Sequence, residues 1–174
     1  MAAGPLIACV DVDYRAAGAV AAGVWLRGWP ADAPKAEAVA WCPAAADYEP
    51  GAFYRRELPC LVAVLARGPA TDIVVVDGYA WLGVGRPGLG AHLHVHLNGP
   101  AVVGVAKTRF AGAAAAGVAV PVLRGSSRSP LYVSAAGVDR AAAAGWVAAM
   151  AGPHRLPAML GRDDRLARTA PVKP

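Results

Sequence analysis

The stretch DIVVVDG at residues 72–78 constrains the fold more than any other. Four consecutive β-branched apolar residues leave no polar face for solvent. A run that short, closed by Asp-Gly, predicts a central parallel strand buried on both sides rather than a helix. PAVVGVAK at 100–107 reads the same way. Parallel strands need crossover connections, so helices must lie between such runs.

The neighbouring segments supply the rest of a sheet. PLIACVDVDY (5–14), AGAVAAGVWL (17–26) and KAEAVAWC (35–42) are strand-like and separated by turn signals at Gly28, Pro30 and Pro34, which predicts a three-stranded antiparallel meander. DYEPGAFYRRELPCLVAVLA (47–66) changes to helical spacing, with Pro50 opening a helix and Leu58, Leu61 and Leu65 as its apolar stripe. AGAAAAGVAVPVL (111–123) and PLYVSA (130–135) are read as late strands joined by a loop at 125–130. VDRAAAAGWVAAMAG (138–152) is read as an alanine-rich helix that begins near Asp139 and stops at Gly152. The expected architecture is one α/β domain over residues 1–174: an antiparallel meander followed by parallel strands, with helices on both faces of the mixed sheet. RLPAMLGRDDRLARTAPVKP is expected to be a basic, partly flexible tail over 155–174.

Composition narrows the function classes. The chain is 56% hydrophobic but has only two Phe, so Ala, Val and Leu must fill the core. Pro, Gly, Arg and His interrupt every apolar run before membrane length, and the first fifteen residues lack a basic leader, so no membrane partner and a cytoplasmic location are expected. Three widely spaced cysteines without a CxxC pair suit buried thiols better than a disulfide framework or a zinc knuckle. The net charge is +5, and between Gly78 and Val138 there is no Asp or Glu, whereas Arg86, Lys107, Arg109, Arg124 and Arg128 all fall there. A segment of one sign favours a phosphate backbone.

Three motifs compete for the chemistry. GVGRPG (83–88) matches G-x-G-x-x-G, but it does not directly follow a strand and lacks the ribose-binding acid about twenty residues later; it is read as a flexible glycine loop. His92, His94 and His96 would share one face of a strand, or two of them one side of a helix. Either could seed zinc in a small-molecule metalloenzyme, yet no Cys, Asp or Glu nearby completes a tetrahedral set, and polar packing or phosphate contact is the better reading. Asp77 stands at the C-terminal end of a buried parallel strand, where open α/β sheets hold their ligands. Asp11 and Asp13 share a face of the first strand, and Glu57 lies on the helix between the two strands. Singly, each acid is solvated or salt-bridged; gathered together, they take up protons or bind a hard cation such as Mg²⁺.

With those residues in view, the sequence resembles the endonuclease V family, deoxyinosine 3′ endonucleases of ribonuclease H-like fold. The resemblance runs in order along most of the chain: VDVDYR, YEPGAFYRRELP, VVVDGYA with RPGLGAHL, VGVAKTRF, LRGSSRSPLYVS and HRLPAMLGRDDRLAR. It implies Asp11, Asp77 and Glu57 as ligands for one or two Mg²⁺ or Mn²⁺ ions, and Lys107 as the active-site lysine. Tyr48 would be the wedge beside the modified base, with Pro50, Gly78, His92, Arg86 and Arg109 as further substrate contacts. The implied activity is cleavage one nucleotide 3′ of deoxyinosine or inosine in DNA or RNA, in nucleic-acid repair or processing, by a monomer. Three departures stand out. The histidine that the family carries after its VS strand is absent from VSAAGVDR, where Asp139 is the nearest ionisable group and would take its place. Gly83, Val84 and Gly85 replace His-Pro-Arg, and Asp47-Tyr48-Glu49-Pro50 replaces Pro-Tyr-Ile-Pro. The alternative is a nucleic-acid-binding protein of the same fold with weakened or lost cleavage.

Overall fold

The computed structural model describes residues 3–43, 49–50 and 52–171. Tyr48, expected as the wedge, lies outside the described residues.

The first strands form the meander: β1 (Leu6–Arg15), β2 (Gly18–Arg27) and β3 (Ala36–Cys42), each antiparallel to the next. Helix α1 (Tyr54–Leu65) then carries the chain to β4 (Ile73–Asp77), which pairs parallel to β1 with Val10 opposite Val76. That register sets Asp11 and Asp77 side by side, each one residue beyond the last paired position, at the C-terminal edge of the parallel strands. Helix α2 (Leu89–Leu97) leads to β7 (Ala101–Ala106), parallel to β4. Between β4 and α2 the chain makes a small hairpin, β5 (Trp81–Gly83) with β6 (Arg86–Pro87). Helix α3 (Ala111–Ala116), β8 (Val120–Val122) and β9 (Leu131–Ala136) follow, then α4 (Arg140–Ala149) and α5 (Ala158–Thr169). The seven-stranded sheet has the order β3-β2-β1-β4-β7-β9-β8. Its centre is parallel and both edges are antiparallel, because β9 returns antiparallel to β7.

Alternation along the strands divides the core. Ile7, Cys9, Val75, Val103 and Val105 pack against α4 and α5 through Val147, Met159 and Leu160. Ala8, Val10, Val74, Val76 and Val102 face the other way, onto Leu61 and Val64 of α1 and Leu93 of α2. Helices therefore cover both faces, as parallel strands require. Where the loop after β4 crosses β7, a Cβ at Gly104 would stand 2.6 Å from the Gly78 carbonyl and from the Ala80 nitrogen, so glycine is needed there for close approach.

Four sequence expectations change. Residues 111–123 are not all strand: Ala111–Ala116 form a helix, as the high helix propensity of alanine favours, and only Val120–Val122 join the sheet. Pro50 does not open α1; it sits in an exposed turn closed by the Ala52 amide donating to the Glu49 carbonyl (3.0 Å), and the helix starts four residues later. The glycine loop is a hairpin. The segment read as a partly flexible tail forms a docked helix, α5, with Met159, Leu160, Asp163 and Ala167 buried. Arg15 fastens the end of α5, donating to the carbonyls of Ala167 (2.7 Å), Arg168 (3.0 Å) and Ala170 (2.9 Å). Among the described residues no helix is long and apolar enough to cross a membrane.

Candidate active site

Four carboxyls from four elements converge at the C-terminal edge of the parallel strands. Asp11, Asp77 and Asp163 line one crevice of about 10 Å³ with Lys107, the room of roughly a single water or ion. Glu57 on α1 is close enough for its charge to act on both Asp11 and Asp77. Parallel register sets Asp11 beside Asp77 and Asp77 opposite Val105, and Lys107, two residues beyond Val105, follows directly after β7 at the same edge. Lys107 Nζ donates to Asp77 Oδ2 at 2.8 Å.

The electrostatics are those of acids forced together. Burial, followed by repulsion from Asp11 and Asp77, pushes the Glu57 carboxyl up from 4.5 to about 8. Burial also raises Asp11 to about 6, with Asp77 and Asp164 adding to the effect, although the Val12 amide donates to its carboxylate at 2.8 Å. Asp163, only 2% exposed, is held well above the ordinary carboxylate range by burial and then by Asp11. Burial is the strongest single influence and works against the charge of Lys107, but the Asp77 hydrogen bond and the negative charges of Asp77, Asp11 and Asp164 together outweigh it and raise the ammonium's pKa. Left alone, such a cluster holds protons that a cation would replace.

That chemistry fits a hard divalent cation: every candidate donor is a carboxylate oxygen, the acids destabilise one another's charged forms, and a crevice lies between three of them. Among the described residues, however, no three acidic, histidine or cysteine side chains are already arranged to hold a metal ion. Lys107 stands in as the cation at Asp77.

Beside the acids is a depression of about 330 Å³ that Asp77 shares with Gly78 and Arg86 and that aromatic rings dominate. Tyr54 lines it and stacks on His92, their ring centroids 3.5 Å apart and their planes within 15°. Tyr79 and Phe110 line it too, joined by the Phe110 amide donating to the Tyr79 hydroxyl (2.9 Å), while that hydroxyl donates to the Thr108 carbonyl (2.8 Å). Burial, with Arg55 nearby, lowers the pKa of His92, so its ring is a neutral backing plate at neutral pH. The depression is large enough for a nucleobase and offers stacking faces for one.

Other expected residues lie elsewhere. Asp139 is the N-cap of α4, its carboxylate accepting from the Ala142 amide at 2.9 Å, and it lines a separate depression of about 440 Å³ with Trp81, Val84 and Arg140. It does not line the acid crevice, because the cap fixes it at the start of the helix that follows β9, on the far side of β7 from β1 and β4. Asp13 is drawn to Arg15 at 3.1 Å. Arg109 is exposed just beyond Lys107. The histidine trio dissolves as a site: His92 stacks, His94 shares a hydrogen bond of 2.8 Å between its Nδ1 and the Pro100 carbonyl, and His96 is exposed. Cys9 and Cys60 are buried and Cys42 partly so.

Two contributors were missed in the sequence. Asp163 sits inside an apolar stripe of Met159, Leu160, Leu166 and Ala167, a helical spacing that would have shown the tail to be a core helix with an acid on its inner face. Tyr54 carried no such signal, since its partner is distant in sequence.

Comparison with known proteins places the fold in a family. A family model described as Endonuclease V matches residues 2–165. Endonuclease V of Rhodospirillum centenum is 40% identical over 134 residues, covering 63% of this chain and 53% of the relative. The crystal structure of endonuclease V from Streptomyces avermitilis superposes with a TM-score of 0.78 at 30% identity, covering 96% of this chain and 82% of that one. Ciona intestinalis endonuclease V, solved in complex with a 24mer DNA containing an inosine followed by a ribo-adenosine, shares the fold with a TM-score of 0.76 at 18% identity, covering 94% of this chain and 84% of its own. The chain spans 53% to 62% of the length of the curated relatives it matches. The meander, the parallel centre and the helices on both faces are the ribonuclease H-like fold of these structures, and the chain belongs to the endonuclease V family.

Proposed function

We propose that this protein is a divalent-metal-dependent endonuclease that cuts DNA or RNA one nucleotide 3′ of deoxyinosine or inosine. The observation that carries the proposal is the joining of two features at Asp77: the crowded carboxyls and Lys107 on one side, and the aromatic depression on the other. Family membership and the inosine-containing DNA held by the Ciona intestinalis relative support the same substrate class.

Asp11, Asp77 and Glu57 would hold Mg²⁺ or Mn²⁺, with Asp163 completing the acidic wall. A cation bound there would supply charge neutralisation at the scissile phosphate and a lowered pKa for the attacking water. Lys107 places a positive charge at the crevice, where it offsets negative charge developing on the phosphate. Tyr54, held by His92, presents a flat face to a base turned out of its stack. Gly78 keeps that entrance low, and a positive φ of 116° at this position suits glycine. Arg86 and Arg109 offer phosphate contacts along the acid-free segment.

The test incubates the protein with labelled single- and double-stranded DNA and RNA, with and without one inosine, in Mg²⁺, Mn²⁺ or EDTA, beside an Asp77→Ala control. Metal-dependent cutting one nucleotide beyond inosine, lost in the control, is expected. A second reading, nucleic-acid binding without cleavage, is favoured by Asp139, which caps α4 instead of filling the place of the missing histidine. Binding with no cutting of any substrate would select it.

A further inference from the structure

The glycine motif finds a use in the fold that neither the acid crevice nor the aromatic depression absorbs. GVGRPG folds as the hairpin of β5 and β6, with Gly83, Val84 and Gly85 at its tip. Val84 is 83% exposed. Gly85 has a φ of 64°, and a Cβ placed on it would meet nothing within 4 Å, so the tip stands clear of the body. The base of the hairpin, by contrast, is fixed. Trp81 Nε1 donates to the Ala135 carbonyl at 3.0 Å, the Gly88 amide to the Ala80 carbonyl at 2.9 Å, and the Ala80 amide to the buried Ser134 hydroxyl at 2.8 Å. An apolar side chain is thus held out on a short, anchored prong.

Its place matters more than its exposure, because single exposed valines are common on protein surfaces. The hairpin is the wall between two depressions. Arg86 and Leu82 face the one that contains Asp77 and Tyr54, while Val84 and Gly85 face the one that contains both Asp139 and Arg140. A strand with a phosphate at Asp77 and a base against Tyr54 passes this wall. Its backbone meets Arg86 there, within a segment that has no acid from Gly78 to Val138. Apolar side chains presented this way enter between base pairs and unstack one step, kinking the duplex and holding it open.

We infer that Val84, carried on the β5–β6 hairpin, is a wedge that inserts into a base step next to the nucleotide held at Asp77. The inference rests on the nuclease reading above and adds a residue that selects for deformable or already opened duplex. Duplex sites flanked by easily unstacked steps are then preferred, and single strands depend less on the wedge.

The test uses duplex and single-stranded oligonucleotides carrying one inosine, with 2-aminopurine placed at successive positions on either side. Emission and binding are measured for the wild type, Val84→Ser and Val84→Leu, and cleavage is followed in parallel. Wild type is expected to raise emission severalfold at one flanking step of the duplex. Val84→Ser should lose that signal and bind duplex about tenfold more weakly, the cost of forgoing one buried valine side chain, while its binding to single strands changes little. Val84→Leu should keep the signal. Equal emission and equal duplex binding for wild type and Val84→Ser, with cleavage intact, would overturn the wedge and leave the nuclease reading standing. A wild type that neither binds nor cuts any inosine substrate would overturn both.

Discussion

Glu57 should be a residue that the protein keeps at a cost to its own stability. Its side chain is 8% exposed, and burial with the nearby charges of Asp11 and Asp77 lifts its pKa from 4.5 to about 8. The folded state therefore binds a proton that the unfolded state releases between those values. The direction follows from linkage: stability is full below pH 4.5 and falls as pH rises towards 8. The whole interval corresponds to at most roughly 5 kcal/mol, and because Asp11 and Asp77 share the same repulsion, about 2 kcal/mol is the reasonable share for one substitution. Glu57→Gln imitates the protonated acid. In EDTA it should match the wild type near pH 5 and exceed it by about 2 kcal/mol at pH 8, or some 4–8 °C for a domain of this size. Urea unfolding at pH 5, 6, 7 and 8 measures the difference directly. Added Mg²⁺ or Mn²⁺ should narrow it by stabilising only the wild type, and the variant should not cut. A difference that stays flat from pH 5 to 8, or a less stable variant at pH 8, would refute the reasoning. It would mean that Glu57 is already ionised in the folded protein and satisfied by a cation such as the guanidinium of Arg56.

Two further outcomes come from the same geometry. Arg15→Met keeps the aliphatic stem but removes three carbonyl contacts to the end of α5, and should lower stability by about 2 kcal/mol by urea unfolding; a loss under about 0.5 kcal/mol would show that α5 is held by its apolar face alone. Tyr54→Leu preserves bulk but removes the stacking face beside Asp77, and should weaken binding to inosine oligonucleotides roughly tenfold with a smaller effect on turnover; unchanged binding would place the base elsewhere.

The parts that could be read in advance are those fixed by short-range pattern. DIVVVDG announces a strand buried on both faces, and alternation in β1 sets Asp11 on the face that looks towards α5. Parallel register then does the rest, because strands paired at Val10 and Val76 must bring the acids that follow them together. The same logic places Lys107 at the end of β7. Asp77 and Lys107 are legible because the ends of β4 and β7 are legible.

What stayed hidden depends on contacts between remote segments. The basic character of residues 155–174 masks an amphipathic helix, since its charges are only the outer face and the inner one is fastened by Arg15 from the far end of β1. Asp163 is part of the site only because α5 crosses that strand. Asp139 shows the converse: the resemblance proposes it as a stand-in for a missing histidine, but a local rule wins, and an aspartate three residues before a free helix amide becomes a cap. The glycine motif fails as a phosphate loop for the same reason. Gly83 and Gly85 serve a turn rather than a helix start, and turning the chain there lifts Val84 clear of the body. The candidate site is thus largely visible in sequence, where Asp11, Asp77 and Glu57 sit on readable elements, and is completed by packing, where α5 brings Asp163.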